Sequence, residues 1–67
     1  MTNIKLLLAI KESGMYQYRI AMKAGIHQPK FSRILNGWEI PTEREKIAIA
    51  KVLDKSVEDL FPSSVAS

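Results

Sequence analysis

The sequence predicts an all-α domain of five short helices, and three observations carry that expectation. Apolar residues recur at three- and four-residue spacing, with almost none of the strict alternation that marks a half-buried strand. The periodic stretches stop at Gly14, at Gly25 and at Asn36-Gly37. Two capping patterns, Thr42 to Glu45 and Ser56 to Asp59, stand ahead of the later stretches. A chain of 67 residues holds one domain, placed over 1–61, and the small polar segment 62–67 reads as a frayed tail.

The first helix is expected over 2–13, with Ile4, Leu7 and Leu8 as one stripe and Leu6 and Ile10 as a second beside it. The second covers 17–24, where Ile20, Ala21 and Ala24 form the apolar face. The third covers 28–36, with Pro29 in its first turn, where a missing N–H costs little, and Phe31, Ile34 and Leu35 facing inward. After the loop 37–41 a fourth helix over 43–53 should bury Ile47, Ala50 and Leu53, helped by Ile49. A fifth over 57–61 returns Val57, Leu60 and Phe61 to the core.

Composition removes several classes of function. With no cysteine and a single histidine, His27, neither thiolate chemistry nor a multi-histidine metal site is available, and no cofactor is expected. The cysteine-free composition fits a reducing cytoplasm, and no apolar run approaches the roughly 18 residues of a membrane span. An enzyme needs convergent acids and bases, whereas Glu12 is the only acid of residues 1–37 and the later carboxylates are interleaved with Lys and Arg as on solvated helices. Residues 1–37 carry six cations against that one anion, and residues 38–67 carry four cations against six anions. The first half suits a polyanion; a soluble surface of uneven charge is the plainer alternative.

The most informative stretch lies between Gln17 and Gly37. Two helices meeting at a steep angle need a small residue at their approach, which Ala21 supplies, and a positive φ at the turn, which Gly25 supplies. Ile26 plugs the angle, and the start of the third helix is left projecting outward. Gln17, Ala21, Gly25, Ile26, Gln28, Phe31, Ser32, Arg33, Ile34 and Asn36-Gly37, in that order, resemble the Cro/CI-type, lambda-repressor-like helix-turn-helix family. The later run, Pro41-Thr42 and Ile49-Ala50-Lys51 through Ser56 to Phe61, is similar to the last two helices of that family, so the likeness spans about residues 3–61. The chain departs from the pattern at Tyr16 and His27, where capping Ser or Thr is usual, at Asp54 in place of glycine, and at Pro29 in place of a hydrogen-bonding residue.

The resemblance implies a compact five-helix DNA-binding domain whose helix 28–36 enters the major groove. Gln28 is then the reader of an adenine edge, and Arg33 reaches guanine or a phosphate. Pro29 meets a thymine methyl or merely starts the helix. Gln17, Lys30, Ser32 and Arg44 fall to the DNA backbone. His27 donates to a phosphate or caps the helix, and Trp38 lies on the sugar-phosphate backbone or covers the core. The partner is double-stranded DNA with a near-palindromic operator, bound by a homodimer whose contact involves Val57, Leu60, Phe61 and Pro62, with Leu6 and Ile10 as a second candidate surface. No small-molecule ligand and no membrane are expected. The expected role is a transcriptional regulator, a repressor of the phage or restriction-controller kind. A protein-interaction module, or an antitoxin using an apolar helix face, is the alternative.

Overall fold

The computed structural model describes residues 2–62, and over these the chain forms α1 (Ile4–Ser13), α2 (Gln17–Ala24), α3 (Gln28–Leu35), α4 (Glu43–Leu53) and α5 (Val57–Leu60), with no strand. The tail expected over 62–67 lies, beyond Pro62, outside the described residues. α2 packs against both α3 and α4, while α1 packs against α4 and α5. Five large side chains are fully buried, Leu6, Ile20, Phe31, Ile49 and Leu60, and each helix contributes one of them. Burying a side chain of this size stabilises by roughly 1.5–3 kcal/mol. Set against a net stability of about 0.1 kcal/mol per residue, each of the five is a sizeable fraction of the whole.

α1 begins two residues later than expected because Asn3, not a more distal residue, caps it. Asn3 Oδ1 accepts from the Leu6 N–H at 3.0 Å, Nδ2 donates to the Leu60 carbonyl at 2.9 Å, and the Asn3 N–H donates to the Leu35 carbonyl at 2.8 Å. The start of α1 is thereby tied to the ends of α3 and α5. This tie sets the rotation of α1 and corrects the stripe that sequence spacing favoured. Leu6, Ala9 and Ile10 are buried, Leu7 is half-buried, and Ile4 and Leu8 are 57% and 53% exposed. Leu6 and Ile10 therefore belong to the chain's own core and offer no surface to a second copy.

α4 shows a smaller shift of the same kind. Its inward residues are Ile49, Ala50 and Leu53, whereas Ile47 is half-exposed. The inward row continues to Lys46, whose stem is largely covered while its Nζ reaches Glu43 Oε2 at 3.3 Å at the surface. A lysine in that row looks polar in sequence and covers apolar surface in the fold. The Thr42–Glu45 capping box is complete, with Thr42 Oγ1 accepting from Glu45 N–H at 3.1 Å and Glu45 Oε1 accepting from Thr42 N–H at 2.9 Å. Of the second pattern only one half forms: Ser56 Oγ accepts from the Asp59 N–H at 3.1 Å. Leu60 is buried, Val57 and Phe61 are half-buried against the core, and Pro62 is exposed, so Leu60 is withdrawn from the surface expected to hold a dimer contact. Among the described residues no helix is long and apolar enough to cross a membrane.

Left-handed backbone closes the ends of α2 and α4 at Gly25 and Asp54. Gly25 has φ 73°, and a Cβ built there meets nothing within 4 Å, so the dihedral and not the available space requires glycine. Asp54, the one non-glycine residue with positive φ among those described, ends α4 at φ 56°. Gly25→Ala should lower stability by about 1–2 kcal/mol, and Asp54→Gly should change it in the opposite direction by up to about 1 kcal/mol. Urea unfolding midpoints at unchanged m-value check both signs; a Gly25→Ala variant as stable as the parent would contradict the account of the turn.

Candidate functional site

The turn Gly25–His27 carries α2 into α3. The Gly25 N–H donates to the Met22 carbonyl at 3.1 Å and the Ile26 N–H to the Ala21 carbonyl at 2.9 Å, which closes the end of α2. Ala21 and Ile26 are buried, so the inside of the corner is filled by one small and one branched side chain. His27 stands at the start of α3 with φ -56° and ψ 135°, outside the helical region, and its side chain makes no capping bond. Its carbonyl accepts from the Phe31 N–H at 2.9 Å. Phe31, Ile34 and Leu35 anchor α3 inward, which turns Gln28, Pro29 and Arg33 outward as exposed residues. An open cleft of about 420 Å³ runs along the α2–α3 corner beside Gln28, lined also by Tyr18, Met22, Gly25, Ile26 and His27.

Of the remaining residues singled out in the sequence, Gln17, Lys30 and Ser32 are half-buried and His27 and Arg44 are exposed. Ser32 is engaged with the helix end: its carbonyl accepts from Asn36 Nδ2 at 2.9 Å and its Oγ lies 3.4 Å from the same nitrogen. Trp38 does not cover the core. It is 78% exposed in the loop between α3 and α4, near the even more exposed Ile40.

Two acidic residues that sequence reasoning passed over occupy this face. Arg33 Nε donates to Glu39 Oε1 at 2.8 Å, and Lys30 Nζ lies 2.8 Å from Glu45 Oε2 and 3.6 Å from Glu39 Oε2. Two cations of α3 are thus matched by two carboxylates, one from the loop and one from the capping box of α4. The Arg33 hydrogen bond is the main influence holding the Glu39 carboxyl below its ordinary range. Lys30, followed by the Thr42 N–H, does the same for Glu45, and Glu45 in turn raises Lys30. The signal available in sequence was local: Lys30 and Arg33 are three apart on one flank of α3, and the chain turns acidic immediately after Gly37.

This pairing relocates the positive charge that the half-chain count assigned to the recognition region. Lys55 pairs with Glu12 at 3.2 Å and Lys46 with Glu43. Arg19 and Lys23, one turn apart on α2, and Arg44 in the first turn of α4 have no ion-pair partner among the described residues, and neither do Lys5, Lys11 and Lys51. Tyr16 and Tyr18, at the start of α2, stack with ring centroids 5.9 Å apart. Among the described residues no group of three metal-ligating side chains occurs.

The paired carboxylates make the α3–α4 face acid-labile. Their lowered pKa values mean that the contribution is present above the ordinary carboxylate range and is lost as pH falls through the still lower folded values. The raised pKa of Lys30 keeps its share present through neutral pH, with loss only in strong alkali. A Glu45→Gln variant should therefore melt below the parent near pH 7, with the difference shrinking as pH falls below the ordinary carboxylate range and through the lowered value of Glu45. Thermal midpoints from neutral pH downward check this; a difference that persists undiminished in acid would contradict it. Comparison of the chain with family models, with curated proteins and with solved structures returns no match in any of the three.

Proposed function

We propose that the chain is a sequence-specific DNA-binding transcriptional regulator, a repressor of the lambda-repressor-like helix-turn-helix kind, in which α3 is the recognition helix. The observation that carries this reading is the α2–turn–α3 corner. Its inside is closed by Ala21, Ile26 and a left-handed Gly25, and its outside presents the exposed start of α3. An α-helix presented by its N-terminal residues fits the major groove, where base edges are distinguishable. Gln28 reads an adenine edge, Pro29 offers apolar surface to a thymine methyl, and Arg33 reads a second base. Gln17, His27, Ser32, Trp38 and Arg44 meet the backbone, joined by the unpaired Arg19 and Lys23. Lys30 contributes less, because Glu45 already neutralises it.

One recognition helix spans only a few base pairs, so the chain acts as a dimer on a near-palindromic site with half-site centres about 34–36 Å apart. Val57, Phe61 and Pro62 remain at the surface for that contact. The half-exposed Ile4 and Leu8 on α1 favour a second reading, a partner-protein surface of the kind an antitoxin would use. A salt-dependent DNA shift separates the two, since a pure interaction module shows none.

Selection of bound sequences from random duplex DNA tests the reading, with a dyad-symmetric site as the expected result and no enrichment as the refuting one. On the selected site, Gln28→Ala should lose preference at one or two base pairs by about 1–3 kcal/mol while non-specific binding stays intact. Arg44→Ala should reduce the slope of log affinity against log salt by about 0.9, and Lys30→Ala by clearly less. Equal slope changes for the two variants would remove the ion pair with Glu45 from the account.

A further inference from the structure

We propose that Glu39 is the positioning residue for base recognition by Arg33, and that the pair selects guanine. The inference rests on the DNA-binding reading above and extends it to a residue outside the expected interface.

The two residues are joined twice. The Glu39 N–H donates to the Arg33 carbonyl at 3.3 Å, with the Trp38 N–H on the same oxygen at 2.9 Å, and Arg33 Nε donates to Glu39 Oε1 at 2.8 Å. Gly37, with φ 80°, reverses the chain after α3 and brings the loop back over the helix end. The carboxylate is steadied from its other oxygen by Lys30 Nζ at 3.6 Å. Glu39 is thus placed by backbone contacts to the same residue whose side chain it holds.

The geometry leaves a defined part of Arg33 available. A guanidinium has five N–H donors in a planar fork. Glu39 takes the one on Nε, and the two terminal nitrogens make no bond to the described residues. The Arg33 side chain is 48% exposed, so that end meets solvent. Two terminal N–H groups side by side match N7 and O6 of guanine, both acceptors. Adenine offers an acceptor beside a donor at the same positions, and an end-on arginine has no acceptor to give. Without Glu39, the long side chain would have to be ordered when DNA binds. With Glu39, the ordering is done in the free protein.

A different role is open to an acidic residue here, that of a mere counter-charge weakening attraction to all DNA. The two roles give different results on duplexes from the random selection, with single-base variants and an unrelated duplex, at one salt concentration. Glu39→Ala should lose at least about fivefold of the guanine preference at one base pair, the lower end of what a bidentate contact supplies. Glu39→Gln should keep most of that preference, because its amide oxygen still accepts from Nε. Both variants should bind the unrelated duplex more tightly than the parent, since each lacks a negative charge. In an Arg33→Ala background, Glu39→Ala should change nothing further at that base pair. A Glu39→Ala variant that gains affinity for every duplex by one factor, with the guanine preference intact, overturns the proposal. A parent protein that enriches no sequence overturns the DNA-binding reading itself, and with it the proposal, before any variant is compared.

Discussion

Asn3 is one residue with hydrogen-bond partners on three helices, and the placement of α1 follows from it. Apolar burial is non-directional, and α1 carries more apolar surface than one face can hide, so hydrophobicity alone leaves its rotation undetermined. The bonds to Leu6, Leu35 and Leu60 are directional and select one rotation. Once Leu6 and Ile10 face inward, they meet the core residues of the other helices, and α5 is held against the start of the chain. Phe31 then has an enclosed site, and its burial fixes which side of α3 looks outward. The outward face of the candidate interface thus depends on a polar residue bonded to the C-terminal end of α3.

What was legible in the sequence divides along the same line. The stops at Gly14 and Gly25 and the Thr42–Glu45 box were readable because their causes lie within a few residues of each other. So were α2 and the inward triad of α3, each with a single apolar face. The stripe on α1 was not, because the contact that decides it joins Asn3 to Leu60, 57 residues apart in sequence. Ile47 was misplaced because Lys46 hides its covered stem behind a charged name. Leu60 is core, as the apolar pattern of α5 predicts, and only its further assignment to a dimer surface falls away, because full burial leaves it nothing to offer a second copy.

The candidate interface shows a comparable split. The residues expected to point outward on α3 do so, but their charge was read as free. Counting charges by half-chain treats Glu39 and Glu45 as belonging elsewhere, whereas the loop after Gly37 folds them onto α3. A charge tally along a chain is blind to pairing, and pairing determines how many cations remain to displace counterions from a polyanion. Among the described residues the cations without an ion-pair partner lie on α1 (Lys5, Lys11), α2 (Arg19, Lys23) and α4 (Arg44, Lys51), and none lies on α3. In the proposed DNA-binding role, such an arrangement separates attraction from reading, with general affinity concentrated off α3.

The exposed start of α3 differs from its middle in how freely it can drift over generations. The side chains of Gln28 and Pro29 are exposed and enter none of the hydrogen bonds or ion pairs among the described residues, so in the proposed role their exchange rewrites what is recognised without endangering the scaffold. Arg33 is bound to a different rule. Replacing it alone removes the nearer partner of a carboxylate that the loop backbone keeps in place and leaves it only the more distant Lys30, so change there is expected to arrive in pairs, with position 39 following position 33. Under the proposed function, a lineage of such proteins diversifies quickly at positions 28 and 29 and slowly, by coupled steps, at position 33.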